Sequence, residues 1–559
     1  MKKFLAIVLA LACVLSLCAC GGNGGTAGNG GSGDAGNAGG EAGPEGKIKL
    51  SIGIPTNAMV LDHDNNALTK WIEEECNVEL TFIEYAGGTD VATQISTTIA
   101  ARQELPDILF GISLSDSVIT RYGKDGYLLD LSEYYEDKEG ASKIFWDRLA
   151  NEMTAYDQDL VLRKITDVET GAIYCVPCVE TSYTDKMMWQ TWINQTWLDK
   201  LNLKAPTNNE ELLTVLRAFK TQDPNGNGIA DEIPLFGSQN GGNSRPVDWL
   251  MNLFMYYNSS RPYNVDANGK IVLTYTQDEY REGLKFINQL YKEELLTSLA
   301  WTASGSEMKT ITTPTSGTAI CGIFLGHLTT CVSTGNPVLY EYVPMQTWGY
   351  VVREDTSCSK TTFITENCDE SKRDRAFEML MKMWSWDGSM RIRYGEKGVN
   401  WDDPTPGAKS DMNLDATYKL IRDPLSEQST SKWSKIASTF NNFAELETAE
   451  VDNTVTDEFY LKRTKLAADS YALFAEQEAA KDASPIKAPL LTFTEEEKER
   501  TSIYTTNVGD RRSKAMTEFC TGVLDPNKDA DWNAYIKELE DLGLDIVQEF
   551  YQTAYDRGV

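Results

Sequence analysis

Histidine is almost absent from this 559-residue chain, which has only His63 and His327. A histidine-based catalytic triad or a multi-histidine zinc site would have to use one or both, and neither lies in a recognisable motif. Basic residues are also scarce: 52 Lys and Arg stand against 83 Asp and Glu, a net charge of −31. Such a surface repels phosphate backbones and anionic headgroups, which argues against a nucleic-acid partner. No Gly-rich phosphate fingerprint follows the first predicted strand, so a dinucleotide cofactor is not expected. Cys76, Cys321, Cys331, Cys358, Cys368 and Cys520 lack metal spacing. Cys175-Val-Pro-Cys178 has the spacing of a redox dithiol, but such a pair opens a helix, and here a β-forming Val-Glu-Thr-Ser-Tyr-Thr run follows. Export would permit disulfides, and the spacing assigns none.

What is present begins with an export signal. Lys2 and Lys3 precede an apolar run from Phe4 to Leu17, too short for a permanent membrane helix and suited to a secretory leader spanning 1–19. No other stretch is long and apolar enough to cross a bilayer. The leader ends Leu17-Cys18-Ala19-Cys20 before Gly21 and Gly22. This resembles a bacterial lipobox, which implies a lipid-modified Cys20 at the new N-terminus. Residues 20–46 are mostly Gly, Asn, Ala, Ser and Asp, unable to bury a core. A flexible chain of that length spans about 30 Å. The expected arrangement is a globular body leashed to the outer face of the cell membrane, touching it through the lipid alone.

The body has 41% hydrophobic and 10% aromatic residues across the chain, ordinary for a fold with a large core and room for more than one domain. Lys49–Pro55, Val78–Ile83 and Asp107–Gly111 read as strands. Two helical stripes separate them, one carrying Leu68, Trp71, Ile72 and Cys76, the other Val91, Ile95, Ile99 and Ala100. That order predicts α/β with a parallel sheet. Ligands of open parallel sheets sit beyond the carboxyl ends of strands, which nominates Thr56–Asp62 and Gly111–Asp116 as rim loops. Further on, capping boxes are expected at Thr207/Glu210 and Thr276/Glu279, and a hairpin turn at Asn268-Gly269. After about residue 430 a largely helical chain is expected.

The most legible stretch runs from Asp223 to Leu235. Asp223, Asn225 and Asn227 place oxygen side chains at alternate positions, and Gly228 follows where the loop must turn. This is the opening of an EF-hand-type calcium loop. Pro234 occupies the place of the usual closing glutamate, so Asp231 and Glu232 are expected to complete the shell, with the Ile229 carbonyl as a backbone ligand. A polar turn is the alternative reading, since Asn-Gly and Asp-Pro are common turn formers. No base or nucleophile accompanies the loop, so the calcium is expected to be structural.

Together, Cys20, Leu105–Gly111, Trp197–Asp231, Leu290–Leu295, Tyr394–Trp401 and Tyr535–Arg557 resemble the extracellular solute-binding proteins, family 1, of carbohydrate ABC importers. The Asp223 loop is similar to that of the alginate-binding members. The resemblance implies a two-lobed periplasmic-binding-protein-like fold (type II) with a hinge between lobes. Lobe one is expected at 47–180 and 343–404, and lobe two at 181–342 and 405–559. It also implies a monomer that captures a carbohydrate by lobe closure and delivers it to permease subunits, without catalysis. Sugars favour aromatic faces. Trp249, Trp301, Trp348 and Trp401 lie in irregular stretches, which makes them the candidate ligand contacts, although large aromatics are more often core. A surface-anchored glycoside hydrolase, and a receptor for a non-sugar solute such as a peptide, are the competing readings; with 83 acidic residues, no carboxylate pair discriminates.

Overall fold

Between Ile48 and Phe110 the chain lays down three parallel strands. They are β1 (Ile48–Pro55), β2 (Val78–Tyr85) and β3 (Ile108–Phe110). β1 pairs β2 from Ile48↔Val78 to Pro55↔Tyr85, and β3 from Ile52↔Ile108. The crossover helices are Ala67–Glu75, capped by the Asn66 side chain, and Val91–Ala100. Their buried Leu68, Ile72, Val91 and Ile95 follow the helical stripes read from sequence. The computed structural model describes residues 46–87, 90–181, 190–241, 244–352, 355–422, 428–433, 436–451, 458–480 and 488–558. The leader and Cys20 lie outside them.

The chain reaches β4 (Val176–Glu180), passes to β5 (Thr191–Asn194) and β6 (Ile233–Phe236), and then forms the hairpin of β7 (Tyr263–Val265) and β8 (Ile271–Leu273). β9 (Cys321–Leu325) and β10 (Tyr342–Pro344) follow, and the chain returns through β11 (Ser357–Ile364). A small ladder, β12 (Trp401–Asp402) with β13 (Lys419–Leu420), precedes β14 (Phe440–Asn441). Two main sheets result: one ordered β14-β4-β11-β3-β1-β2, the other β10-β5-β9-β6.

Each sheet has its own core. Leu50, Ile52, Ile108, Phe110, Val176, Phe363 and Trp384 belong to the first, and Trp192, Trp197, Phe219, Leu235, Ile323, Phe324 and Tyr342 to the second. The second also takes Phe519, Tyr535 and Leu539 from the C-terminal helices Glu495–Thr521 and Asp529–Asp541. The mixed α/β architecture with two lobes follows from these two cores.

Details differ from the sequence reading for local reasons. The helix Asn209–Thr221 is capped by Asn208, whose side chain accepts from the Glu211 amide, while Glu211 reaches back to Thr207. The cap is thus one residue beyond the Thr207/Glu210 box. At Asp278–Lys292 no box forms, because the Thr276 hydroxyl donates to the Leu273 carbonyl instead. Among the described residues after 430, β14 and the short helix Phe443–Glu447 come before the long helix Glu458–Ala480. Within residues 405–450, placed in lobe two from sequence, Trp433, Ala437 and Phe440 join the first core, and β14 pairs β4.

The reason is a buried arginine. Arg148, 7% exposed, donates to the carbonyls of Trp384 and Phe440 at 2.8 Å each, and its guanidinium lies 4.5 Å from the Phe440 ring centroid. It also pairs with Glu152 at 2.9 Å and Glu445 at 3.0 Å, and Glu445 is fully enclosed. A buried carboxylate deprived of its cation is costly. Arg148→Met is therefore expected to destabilise the first core by about 3–5 kcal/mol, read from the chemical-denaturation transition of that lobe; a loss of under about 1 kcal/mol would contradict the assignment.

Candidate functional site

Strand direction decides where a ligand is received. β1 and β3 are parallel, and β11 runs antiparallel to both β3 and β4, so the ends of β1, β3 and β4 and the start of β11 share one edge. In the second sheet β6 is parallel to β9, and β5 is antiparallel to β9 and β10, so the ends of β6, β9 and β10 share an edge with the start of β5. The chain leaves the first sheet after β4 to begin β5, and leaves the second after β10 to begin β11. Both crossings connect the same two edges. The carboxyl-end loops of the lobes therefore face one another, the position in which open α/β sheets hold ligands.

The loops nominated from sequence lie on this edge. Thr56–Asp62 continues β1, and the loop is built rather than slack. Buried Asn66 donates to the carbonyls of Asp62 and Lys432, and the Trp433 indole donates to Thr69 Oγ1 at 2.8 Å. His63, also buried, lies 2.6 Å through Nδ1 from Glu84 Oε1 and stacks on Phe82. Gly111–Ser115 continues β3, and Asp116 pairs with Lys360 of β11. Across from them, Gly237–Gly241 follows β6. There the Ser238 hydroxyl donates to the Ala303 carbonyl at 2.6 Å and the Asn240 amide to the Trp301 carbonyl at 3.0 Å. A cavity of about 340 Å³ lies at the lobe junction, with Asp116, Lys164 and Lys360 on one side and Leu491, Phe493 and Lys498 on the other.

The four tryptophans divide. Trp249 and Trp401 are each 2% exposed. Trp249 sits in the second core, while Trp401 packs with Met390 and Tyr418 and donates to the Gly395 carbonyl at 2.9 Å. Neither offers a face to solvent in this conformation. Trp301, half-buried, lies edge-on to Tyr291. Trp348, half-buried in the segment joining β10 to β11, donates to Asn209 Oδ1 at 2.8 Å.

With the architecture established, similarity to known proteins can be weighed. The model of the bacterial extracellular solute-binding protein family matches residues 63–323. The fructooligosaccharide ABC transporter substrate-binding protein FusA of Streptococcus pneumoniae is 23% identical over 514 residues, covering 89% of this chain and 88% of FusA. Over these spans the chain is similar to the bacterial extracellular solute-binding proteins. Its fold matches that of an extracellular solute-binding protein from Bifidobacterium longum subsp. infantis, with a TM-score of 0.69, 19% identity, and coverage of 93% of this chain and 100% of that one. It also matches the S. pneumoniae FusA EF-hand mutant in complex with fructo-nystose, with a TM-score of 0.63, 19% identity, and coverage of 91% and 99%.

The Asp223–Glu232 loop lies at the start of β6, the end of the second sheet opposite the facing edges. Asp223, Gly226 and Gly228 all adopt positive φ, at 45°, 74° and 73°, which curls the backbone inward. Asp223 accepts from the amides of Gly226, Asn227 and Gly228, and the Asn225 and Asn227 amides point to the Asp231 carboxylate at 3.1–3.2 Å. Glu232 Oε1 is buried without a hydrogen-bond partner. Burial, then the charges of Asp231 and Asp223, push its carboxyl above the usual range. The oxygens of Asn225, Asn227 and the Ile229 carbonyl accept from the amides of Asn227, Ile229 and Asp231, and these oxygens with three carboxylates are the donor chemistry of a hard cation. Carboxylates and cysteines alone do not make the set: among the described residues no group of three or more His, Cys, Asp or Glu is placed to hold a metal. The asparagine and backbone oxygens are needed.

Sequence reasoning missed the tie between lobes. Asp355, in the segment joining β10 to β11, pairs with Arg261 of lobe two and accepts from the Tyr156 hydroxyl of lobe one at 3.0 Å. Arg261 also donates to the Ala488 carbonyl at 3.1 Å. Next to it Thr356 donates to Asp157, and Lys164, whose pKa burial lowers, donates to the Thr356 carbonyl. These partners lie far apart in sequence, and no local motif announces them. In a cycle of Arg261→Gln and Asp355→Asn, the two changes are expected to couple by about 0.5–3 kcal/mol in stability. Strict additivity would show that the pair ties nothing.

Proposed function

We propose that this protein is the lipid-anchored receptor of an ABC importer, capturing a carbohydrate, by preference an oligosaccharide, between its lobes and presenting it to the permease. The observation that carries the reading is the opposition of the two carboxyl-end edges, joined by crossings at β4–β5 and β10–β11. A solute between those loops gains contacts with both lobes only when they approach, so binding shifts the population toward the closed form. The fructooligosaccharide named for FusA, similar over 89% of this chain, supports a saccharide as the solute. Trp301 and Trp348, the two candidates that retain exposed ring surface, are proposed to border the ligand. Cys20 is proposed to bear the lipid, holding a monomer outside the cell. No covalent step is needed for this role, and none is assigned.

Asp223, Asn225, Asn227, Asp231, Glu232 and the Ile229 carbonyl are proposed to hold calcium; the EF-hand named in the FusA structure supports this. When bound, the ion supplies a positive charge that offsets the three carboxylates. The chain's own part is to fix the turn between the helix Asn209–Thr221 and β6, away from the ligand.

Two outcomes test the proposal. Across a panel of mono- and oligosaccharides at least one is expected to raise the melting temperature while remaining chemically intact; cleavage of glycosidic bonds, or stabilisation only by peptides, would overturn it. Calcium at a hundredfold excess over its Kd is expected to add about 2.7 kcal/mol, reversed by chelation and absent in Asp223→Ala, with saccharide affinity unchanged. A melting temperature indifferent to calcium in the parent chain would refute the metal assignment.

A further inference from the structure

Lobe two carries a second recess, lined by that lobe and by one residue of the segment joining β10 to β11. Its volume is about 850 Å³, in the range of small-molecule sites. It lies among the β7–β8 hairpin, the chain after the helix Pro246–Met251, the start of the helix Asp278–Lys292 and the C-terminal helix Leu544–Gly558. No residue of the first sheet's rim loops contributes.

Four aromatic rings line it: Phe254, Tyr256, Tyr350 and Tyr555. Tyr350 is 40% exposed, unusual for so large a ring, and stands edge-on to Tyr256 with centroids 6.4 Å apart and planes at 84°. Its backbone is fixed, since its amide donates to the Asn252 carbonyl at 2.7 Å. Beside the rings, the Asn264 amide donates to the Tyr256 carbonyl at 2.9 Å, while Asn264 Oδ1 is buried with no hydrogen-bond partner. A buried acceptor left unpaired is costly, and a hydroxyl donor from a ligand would satisfy it. The remaining charged lining is Asp266 and Glu279, and no cationic side chain is among the described lining residues. Aromatic faces suit the C–H faces of a sugar ring, the orphan acceptor suits its hydroxyls, and the two carboxylates disfavour an anionic sugar.

We propose that this groove is a second saccharide site, selective for neutral sugars and separate from the space between the lobes. The proposal rests on the receptor reading only for its choice of probes. Tyr350 supplies the stacking face, Tyr256 holds it edge-on, and Asn264 Oδ1 accepts from a ring hydroxyl. Occupancy here needs no lobe closure.

The experiment is calorimetric titration of the full processed chain with kestose, maltotriose and trigalacturonate, alongside Tyr350→Ala, Tyr350→Trp and Asn264→Ala. A weak event with at least one neutral trisaccharide is expected, distinct from any tight event between the lobes. Tyr350→Ala is expected to weaken that event by about tenfold, Tyr350→Trp to retain it, and Asn264→Ala to weaken it. The tight event should be unchanged in all three variants, and trigalacturonate should give no weak event. A tight event lost from every neutral probe while the weak one persists counts against the receptor reading alone. No weak event with either neutral sugar, a weak event indifferent to Tyr350→Ala, or preference for trigalacturonate overturns the second site. Self-association of the parent chain abolished by Tyr350→Ala would likewise overturn it, by making the groove a contact between copies.

Discussion

Strand polarity is the constraint on which the remaining structure depends. A parallel sheet sends all its carboxyl ends to one edge, and the chain here leaves and re-enters each sheet at that edge. Once β4 hands on to β5 and β10 to β11, the two sets of loops have no choice but to face each other. The antiparallel placement of β11 between β3 and β4 makes this possible. It brings the return crossing to the edge already used by the outward one, so a hinge and a binding face arise from the same geometry.

The rest of the molecule can be understood as protection of that arrangement. Arg148 holds the late segment around Phe440 to the first core, adding β14 beside β4 where the first crossing departs. At the far end of lobe two, Asp223 fixes the turn into β6 by accepting from the amides of Gly226, Asn227 and Gly228. Arg261, Asp355 and Tyr156 bind the return segment to both lobes at once. Of the eight cysteines among the described residues, all but Cys358 are buried. Burial pushes the Cys76 thiol up to about 11 and that of Cys358 to about 12. These thiols behave as small apolar side chains, and Cys178 lies in strand β4 rather than at a helix start.

Much of the fold was legible because its signals are local. The alternation in Ile48–Pro55, the stripe of Leu68 and Ile72, and the Asn-Gly turn before Ile271 each act within a few residues. The oxygen spacing from Asp223 to Asp231 is also local, and the positive φ of Gly226 and Gly228 fits the turn expected there. What was illegible is contact across long separations. Trp433 enters the first core through Thr69, 364 positions away, and nothing near Trp433 reveals that partner. The same holds for the tryptophans: an irregular stretch marks Trp249 and Trp401 as unusual, but only packing decides that both rings are enclosed. Likewise Tyr350 and Asn264 meet in one groove because a connecting segment passes a hairpin, a fact of topology rather than of pattern.

The central claim is that opposed loop edges close on a dissolved saccharide, and it can be tested on two lips of the groove. Spin labels at Thr56, after β1, and at Asn240, after β6, report the separation directly; both positions are exposed. The account predicts that the saccharide which raises the melting temperature shortens this distance and narrows its distribution, and that calcium alone leaves it unchanged. A distance indifferent to a bound saccharide would contradict the account.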